Sequence, residues 1–303
     1  MPQPVIALHP GHDPHFAAAV EAGGGRVGGL ESAQALVLWQ PDLAPKPDVP
    51  ALPPGVRWVQ LPAAGVEHWL GRMPDGPVYT SAAGAFAMPV AEHALALMLA
   101  GARSLADCAR AERWDGAIPA RSLEGTTVAI VGAGGIGRAL IGLLAPFGVR
   151  VLAVTRRGRP VEGAAVTVAA DRLDEVLPAA DHVVLAAPGT PGTRHQFDAE
   201  RLARLKPGAW LVNVGRGSLV DTGALVAALE SGPLGGAGLD VTDPEPLPDG
   251  HPLWRHERVL ITPHVASTLE GERRHYAVRV RENVARFAAG EPLLGVVDRD
   301  AGY

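Results

Sequence analysis

Cysteine is almost absent from this sequence of 303 residues, since Cys108 is its single thiol. One cysteine excludes an internal disulfide framework and leaves the redox compartment unspecified. Lysine is also scarce: arginine supplies 25 of the 27 basic residues, and lysine occurs only as Lys46 and Lys206. This bias in composition lowers the significance of any single pair of arginines.

Long apolar runs are absent as well. The sequence has no stretch of about 18 uninterrupted apolar residues, and its amino terminus lacks the basic and apolar segments of a secretion signal. We therefore expect a cytoplasmic protein without a membrane partner. The net charge of -5 and the pI near 6.1 give no general attraction to nucleic acid, so we expect no nucleic-acid partner either.

What the sequence does contain is a high apolar content, 47% of its residues. A chain of this length can form two domains, each with its own hydrophobic core. Short apolar runs alternate with segments of helical period in two series. The first series predicts strands at 4–8, 35–39, 56–61 and 77–81, and the second at 126–132, 149–155, 182–187, 209–215, 236–241 and 259–264.

These strands are nearly continuous in apolar residues, which is typical of parallel sheets covered by helices on both faces. The expected fold class is therefore α/β, with two doubly wound parallel sheets. Between the two series we expect one long helix from Pro89 to Gly116. A last helical segment, 267–290, follows the final strand and should pack back on the first domain.

Three glycines follow the first strand of the second series with the spacing G-x-G-x-x-G: Gly132, Gly134 and Gly137. In a dinucleotide-binding turn, the first permits a tight turn, the second a close approach to a pyrophosphate, and the third close packing of helix on strand. A glycine turn that only serves packing is the alternative. The surrounding strands and helix favour dinucleotide binding, with Gly135 and Ile136 at the helix amino end that attracts the anion.

The next strand ends in Thr155, Arg156 and Arg157. An acidic residue at this position would bind the ribose hydroxyls of NAD, whereas arginine accommodates the 2′-phosphate of NADP. Two solvated loop arginines in an arginine-rich chain are the alternative. We expect NADP to be the preferred cofactor, with NAD possible.

Three later segments, NVGRGSLVD (213–221), DVTDPEP (240–246) and TPHVAS (262–267), resemble the D-isomer-specific 2-hydroxyacid dehydrogenase family. With the glycine turn and the loop AAGVEH (63–68), the resemblance extends over nearly the whole chain. It implies a Rossmann cofactor domain at 93–266 and a smaller flavodoxin-like substrate domain formed by 1–92 and 267–303. It also implies hydride transfer between a nicotinamide and carbon 2 of a 2-oxo or 2-hydroxy acid.

The family's catalytic residues fall on Arg216, Glu245 and His264. These residue types suit the chemistry: histidine delivers a proton to a developing alkoxide, a carboxylate beside it favours the imidazolium, and arginine binds a substrate carboxylate. Taken singly, each has an ordinary explanation as a surface charge, a turn residue or a packed loop histidine. The ordered set favours catalysis.

The resemblance implies further contacts. The backbone amides of Ala64 and Gly65 would hold the substrate together with Arg216 and His264, and Asp240 would bind the nicotinamide carboxamide unless it only caps a strand. The remaining implied cofactor contacts are Pro188, Thr193, Val214 and Gly215.

Other residues have weaker assignments. Gly189 stands where the family more often has leucine. Trp69, Phe86 and Met88 are candidates for the substrate pocket, although core packing is the expectation for each. His9, His12, Asp13 and His15 lie close together in HPGHDPH, but their spacing matches no zinc pattern, so we expect a polar loop and no metal site.

The expected function is that of an oxidoreductase that uses NADP to reduce a small 2-oxo acid such as glyoxylate or hydroxypyruvate. Two alternatives stay open: an NAD-dependent enzyme similar to phosphoglycerate dehydrogenase, and a binding protein of the same fold, similar to corepressors, that senses NAD(P) without turnover. No appended regulatory domain is expected, which disfavours the first alternative. The resemblance also implies a homodimer through the cofactor domain.

Overall fold

A computed structural model of the protein describes residues 3–41 and 45–303. The chain divides into two compact units, which we call unit 1 (Met1–Phe86 with Thr268–Tyr303) and unit 2 (Ala87–Ser267). The chain therefore crosses between units at 86/87 and 267/268, compared with the crossings expected after residues 92 and 266.

The helices and strands of the described residues follow the expected alternation. In chain order they are β1 (Val5–His9), α1 (Pro14–Ala22), β2 (Arg26–Val27), β3 (Ala35–Leu38), β4 (Trp58–Gln60), β5 (Val78–Thr80), α2 (Ala87–Ala102), α3 (Leu105–Arg110), β6 (Thr127–Val131), α4 (Gly135–Leu144), β7 (Arg150–Thr155), β8 (Val166–Ala169), β9 (His182–Leu185), α5 (Ala199–Ala203), β10 (Trp210–Asn213), α6 (Thr222–Glu230), β11 (Gly236–Leu239), β12 (Val259–Ile261) and α7 (Leu269–Ala289).

Unit 1 contains a five-stranded parallel sheet with the order β2-β1-β3-β4-β5. This order is that of the flavodoxin-like fold, which confirms the expected class. Helix α7 packs on α1 and begins at a Thr268 cap whose hydroxyl accepts from the Gly271 amide. It ends at Gly290, whose φ of 72° is the left-handed conformation that glycine adopts readily.

A buried polar network joins α7 to the sheet of unit 1. The Asn283 amide donates to Gln60 Oε1 at 2.8 Å, and the Thr80 hydroxyl donates to the same oxygen at 2.9 Å. Trp58 Nε1 in turn donates to the Thr80 hydroxyl at 2.8 Å. Because buried polar groups are costly when unpaired, this network fixes how α7 lies on the sheet.

Unit 2 contains a seven-stranded parallel sheet with the order β12-β11-β10-β9-β6-β7-β8. The order reverses at β6, which lies between β7 and β9, as in a Rossmann fold. Helices α2 and α4 pack on each other, and α2 also contacts β10 and β11. All these strands are parallel, so the loops after them leave from a single edge, where a doubly wound sheet binds its ligand.

Two local predictions were incomplete. The long helix expected over 89–116 is wrong, because α2 ends at Ala102 and α3 covers only Leu105–Arg110. Between them Ser104 is left-handed, with φ 46°, a conformation that interrupts a right-handed helix, and its hydroxyl donates to the Pro119 carbonyl. The short edge strands β2 and β8 were not predicted. Within the described ranges no helix has the length and apolar character needed to span a membrane.

Candidate active site

The glycine turn lies at the point where the sheet of unit 2 reverses its order. Gly132 follows β6 with φ +94°, a conformation that side chains rarely adopt. A Cβ atom there would lie 2.5 Å from the backbone nitrogen of Ala187, which follows β9. Only glycine therefore fits where these two neighbouring loops touch.

The other two glycines have different surroundings. A Cβ on Gly137 would lie 2.7 Å from the Gly132 carbonyl oxygen, so this glycine permits close packing of α4. Gly134 has no atom within 4 Å of such a Cβ, and it caps α4 without a side-chain hydrogen bond. The helix therefore presents free amides beside open space, with Gly135 and Ile136 in its first turn. This geometry fits the pyrophosphate of a dinucleotide.

The end of β7 also fits a nucleotide. Thr155 Oγ1 is buried and has no hydrogen-bond partner among the described residues. A buried hydroxyl without a partner is uncommon, and a ribose or phosphate oxygen would satisfy it. Arg156 and Arg157 follow directly and are exposed.

The loop after β9 has a fixed shape. The Thr193 hydroxyl donates to the Pro188 carbonyl and accepts from the Thr190 amide, each at 2.8 Å. Within this loop a Cβ on Gly189 would lie 3.0 Å from Cγ of Arg216. The glycine thus leaves room for the arginine, which accounts for its presence where leucine was the common residue.

Arg216 is carried by a turn that Asn213 holds from the inside. The buried Asn213 side chain donates to the Arg216 carbonyl at 2.9 Å and accepts from the Gly215 amide at 3.1 Å. The preceding Val214 is buried and donates its amide to the Leu185 carbonyl. Sequence reasoning missed Asn213; its signal was a polar residue that ends a buried apolar strand.

The loops after β10 and β11 are in direct contact. A Cβ on Gly217 would lie only 1.8 Å from the Thr242 carbonyl oxygen, so a larger residue would separate these loops. The contact brings the turn of Arg216 beside the segment that leads to Glu245.

Glu245 and His264 form the central pair of the site. His264 Nδ1 lies 2.6 Å from Glu245 Oε1, and since a carboxylate only accepts, the ring donates from Nδ1. This leaves Nε2 as the nitrogen available for proton transfer. The backbone of His264 is left-handed, with φ 54°, and its amide donates to the Asp240 carbonyl at 2.9 Å.

The Asp240 carboxylate organises the loop that bears His264. It accepts from the Thr262 hydroxyl at 2.7 Å and from the amides of Val265 and Ala266 at 3.0 and 3.2 Å. These contacts are those of a strand-end cap, and the contact with nicotinamide stays a prediction. His93 Nε2 lies 2.9 Å from the Thr262 hydroxyl and 3.4 Å from Asp240 Oδ1. The apolar sequence of α2 around His93 did not indicate that this histidine contacts Thr262 and Asp240.

The charges of the site favour the ion pair. The hydrogen bond that His264 donates to Glu245 raises the pKa of His264; burial opposes this, and the charges of Glu245 and Asp240 add to the increase. Burial alone would raise the pKa of Glu245, but the hydrogen bond and charge of His264, the backbone hydrogen bond from Thr242 and the charge of Arg216 together outweigh it, so this pKa is lowered. The charge of Arg216 lowers both pKa values, which places its guanidinium within electrostatic reach of the pair.

In unit 1, Ala64 and Gly65 lie in the loop after β4. Neither backbone amide donates a hydrogen bond to any part of the chain that the structure describes. Trp69 is fully buried and donates to the Pro47 carbonyl, so core packing is confirmed for it. Phe86 is half-buried against the unit 1 core, whereas Met88 is 52% exposed, so the expectation of core packing was wrong for Met88.

The histidine-rich segment serves the fold. Asp13 Oδ1 accepts from the amides of His15 and Phe16 and caps α1, while Oδ2 lies 2.7 Å from Arg273. His15 Nε2 contacts the Arg273 carbonyl. Among residues 3–41 and 45–303 no three His, Cys, Asp or Glu side chains are grouped so that they could hold a metal ion.

One cavity of unit 2 lies at the opposite edge of the sheet. It measures about 240 Å³ and is lined by residues at the amino ends of strands, among them His182, Trp210 and Arg258. Burial lowers the pKa of His182 to about 4, so this histidine is neutral at physiological pH. The residues expected to act in catalysis follow the carboxyl ends of strands, so this cavity is not the candidate site.

Comparisons with known proteins agree with this geometry. Residues 95–266 match the family model described as D-isomer specific 2-hydroxyacid dehydrogenase, NAD binding domain. A glyoxylate reductase from Thermofilum pendens is 34% identical over 234 residues, 74% of this chain and 69% of that protein. A D-3-phosphoglycerate dehydrogenase from Mycobacterium leprae is 39% identical over 217 residues, 70% of this chain but only 41% of that protein.

Two solved structures resemble the whole chain. A D-isomer specific 2-hydroxyacid dehydrogenase from Xanthobacter autotrophicus Py2, in complex with NADPH and MES, has a TM-score of 0.85 and 32% identity, covering 99% of this chain and 100% of the other. An NADPH-dependent glyoxylate/hydroxypyruvate reductase from Sinorhizobium meliloti, in complex with NADP and sulfate, has a TM-score of 0.79 and 30% identity, covering 99% and 100%.

We predict that Glu245→Gln lowers the pKa of His264, because glutamine lacks the charge that stabilises the imidazolium. Both side chains are partly exposed, so we expect a smaller decrease than for a fully buried pair. NMR titration of the imidazole measures it, with His264→Gln identifying the resonance. Glu175→Gln, which breaks an exposed ion pair with Arg172, serves as control. Equal pKa values of His264 in the unmodified protein, Glu245→Gln and Glu175→Gln would contradict the assignment.

Proposed function

Because the chain belongs to the D-isomer specific 2-hydroxyacid dehydrogenase family, we propose that it reduces a small 2-oxo acid with NADPH. Glyoxylate and hydroxypyruvate are the substrates that we favour. The observation that carries this proposal is the 2.6 Å contact between His264 and Glu245, in the unit that also holds the glycine turn. A proton donor and a dinucleotide turn at one edge of one sheet suit hydride transfer.

In this proposal Arg216 holds the substrate. Its planar guanidinium pairs with the carboxylate beside the reacting carbonyl and orients that carbonyl. The backbone amides of Ala64 and Gly65 in unit 1, which donate to no residue of the described chain, stay predicted contacts of the substrate. The proposal thus predicts that substrates carry an acid group next to the ketone.

His264 controls the proton. NADPH, when bound, supplies the hydride to carbon 2. His264 stays hydrogen-bonded to Glu245 through Nδ1. It holds a proton at Nε2 and donates that proton to the oxygen that becomes the hydroxyl. In the oxidative direction neutral His264 accepts that proton. Since Glu245 raises the pKa of His264, the donor stays charged to higher pH and ketone reduction extends to higher pH.

The cofactor lies, in this proposal, along the carboxyl edge of the unit 2 sheet. The glycine turn and the buried Thr155 hydroxyl support it, as do the two similar structures that contain NADPH or NADP. The 2′-phosphate would pair with Arg156 and Arg157. The residues assigned to the cofactor are Gly132, Gly134, Gly135, Ile136, Gly137, Thr155, Arg156, Arg157, Pro188, Thr193, Val214, Gly215 and Asp240.

Two other functions have some support. The similarity to a phosphoglycerate dehydrogenase supports an NAD-dependent enzyme of that type, although this chain spans less than half of that protein. A sensor that binds NAD(P) without turnover would need the glycine turn but not the acid–base pair. The close contact of Glu245 with His264 therefore favours an enzyme.

We also propose a homodimer through unit 2. Three large apolar side chains at or shortly after α2 are exposed: Met88 (52%), Leu105 (52%) and Trp114 (99%). Contact with a second copy would remove this surface from water. One chain has a mass of 31.4 kDa, and light scattering at micromolar concentration should give twice this value. A monomer mass would exclude the dimer.

Steady-state oxidation of NADPH with glyoxylate, hydroxypyruvate, pyruvate and phosphohydroxypyruvate tests the activity. We expect turnover with one of the first two, and a decrease of roughly 10² to 10⁴ for His264→Ala, the range for loss of a general acid. The exposed His12 is replaced by alanine as control. Cofactor binding without turnover across the panel would favour the sensor, and preference for phosphohydroxypyruvate with NADH would favour the other enzyme.

The cofactor assignment has its own test. Arg156→Ala should weaken NADPH relative to NADH by about 10- to 150-fold, because a charge-assisted hydrogen bond is worth roughly 1.5 to 3 kcal/mol. Apparent dissociation constants for both cofactors measure this ratio. Arg159→Ala removes an exposed arginine from the same loop and is the control. Equal losses for NADPH and NADH in Arg156→Ala would refute recognition of the 2′-phosphate by this residue.

A further inference from the structure

Two residues outside the roles assigned so far contact the segment that carries Glu245. Arg194 Nη2 lies 3.1 Å from Asp243 Oδ2, and His195 Nε2 lies 3.6 Å from the same oxygen. Asp243 is only two residues before Glu245. The loop after β9 is therefore tied to the loop after β11 close to the acid–base pair.

The conformation of His195 suits this position. Its backbone is left-handed, with φ 50°, which is uncommon for a residue other than glycine. Its amide donates to the Ser218 carbonyl at 2.7 Å, and Nδ1 lies 3.7 Å from Asp221 Oδ2. The imidazole thus lies between the carboxylates of Asp221 and Asp243. The hydrogen bond to Ser218 holds the strained backbone in place.

The backbone around Asp243 is held as well. The Thr222 hydroxyl donates to the Asp243 carbonyl at 2.5 Å, and the Thr242 hydroxyl donates to the Pro244 carbonyl at 2.8 Å. Side chain and main chain of Asp243 therefore both have fixed partners. Little freedom is left in Pro244, the one residue between Asp243 and Glu245, because its carbonyl is itself an acceptor.

We infer that Arg194 and His195 are positioning residues that, by holding Asp243, keep the Glu245 carboxylate against His264 Nδ1. The inference rests on the proposed function for its catalytic meaning, but its geometry stands alone. Arg194 directly follows Thr193, whose loop is assigned to the cofactor. Contacts through Asp243 thus link the cofactor loop to the acid–base pair.

A surface ion pair without such a role is the competing explanation. The side chains of Arg194 and Asp243 are 57% and 29% exposed, and exposed pairs contribute little to stability, about 0 to 1 kcal/mol. A stability measurement would therefore not separate the two explanations. The pKa of His264 separates them, because it depends on the Glu245 contact.

The two explanations predict shifts of opposite sign. If Arg194 forms only a surface ion pair, its removal takes away a positive charge and changes no contact of Glu245. The loss of a nearby cation raises the pKa of a histidine. Loosening Glu245 lowers the pKa of His264, because the Glu245 hydrogen bond is the largest contribution that raises it. The other charges that act on His264, those of Asp240 and Arg216, stay in place in both cases.

The experiment is an NMR titration of His264 in the full chain without cofactor. Arg194→Gln and His195→Asn, which tolerates a left-handed backbone, should each lower the pKa of His264 by up to about 0.7 pH unit. Arg194→Lys keeps a cation near Asp243, so the pKa of His264 should decrease less than in Arg194→Gln. Arg172→Gln removes an exposed ion pair elsewhere in unit 2 and should change nothing. An unchanged or raised pKa in both variants overturns the inference.

Turnover measured on the same proteins keeps the two proposals apart. If the unmodified protein reduces no 2-oxo acid but Arg194→Gln still lowers the pKa of His264, the proposed function is wrong and the positioning holds. If turnover is present, the high-pH limb of ketone reduction should move to lower pH in Arg194→Gln. Turnover with an unmoved limb and an unmoved pKa leaves the function intact and rejects the positioning.

Discussion

The buried carboxylate of Asp240 is the interaction on which the site of unit 2 depends. A charge that is 2% exposed is costly unless hydrogen bonds replace its water, and Asp240 has three donors from the Thr262 hydroxyl and from the amides of Val265 and Ala266. All three come from the loop that carries His264. Satisfying this one carboxylate therefore fixes the loop, and the loop presents the histidine ring to Glu245.

Much of the fold was predictable because its signals are local. Gly132, Gly134 and Gly137 have the surroundings that their spacing indicated, and ten of the strands follow apolar runs. The failures have physical causes. Strands β2 and β8 lie at sheet edges, and Val168 is the one buried residue in the two strands, so their apolar pattern is weak. The helix breaks at the left-handed Ser104, whose hydroxyl bonds to Pro119 fifteen residues away, and no helical period reveals either feature.

The candidate site was predictable only in part. Arg216, Glu245 and His264 were identified through their motifs, and the structure brings Glu245 and His264 into contact. The supporting residues were not identified, because their roles arise from contacts between separate loops. His93 reaches Thr262 across 169 residues of chain. The partners of Arg194 and His195 become visible only when three strands lie side by side.

The closeness of these loops comes from the absence of side chains at a few backbone positions. Gly217 allows the loops after β10 and β11 to touch, and Gly132 does the same for β6 and β9. Polar side chains then find partners on the neighbouring loop, as Asp240 does on the loop of His264, or within their own turn, as Asn213 does. A charged acid–base pair at the sheet edge therefore requires glycines that take no part in the chemistry. A search for catalytic residue types alone would not find them.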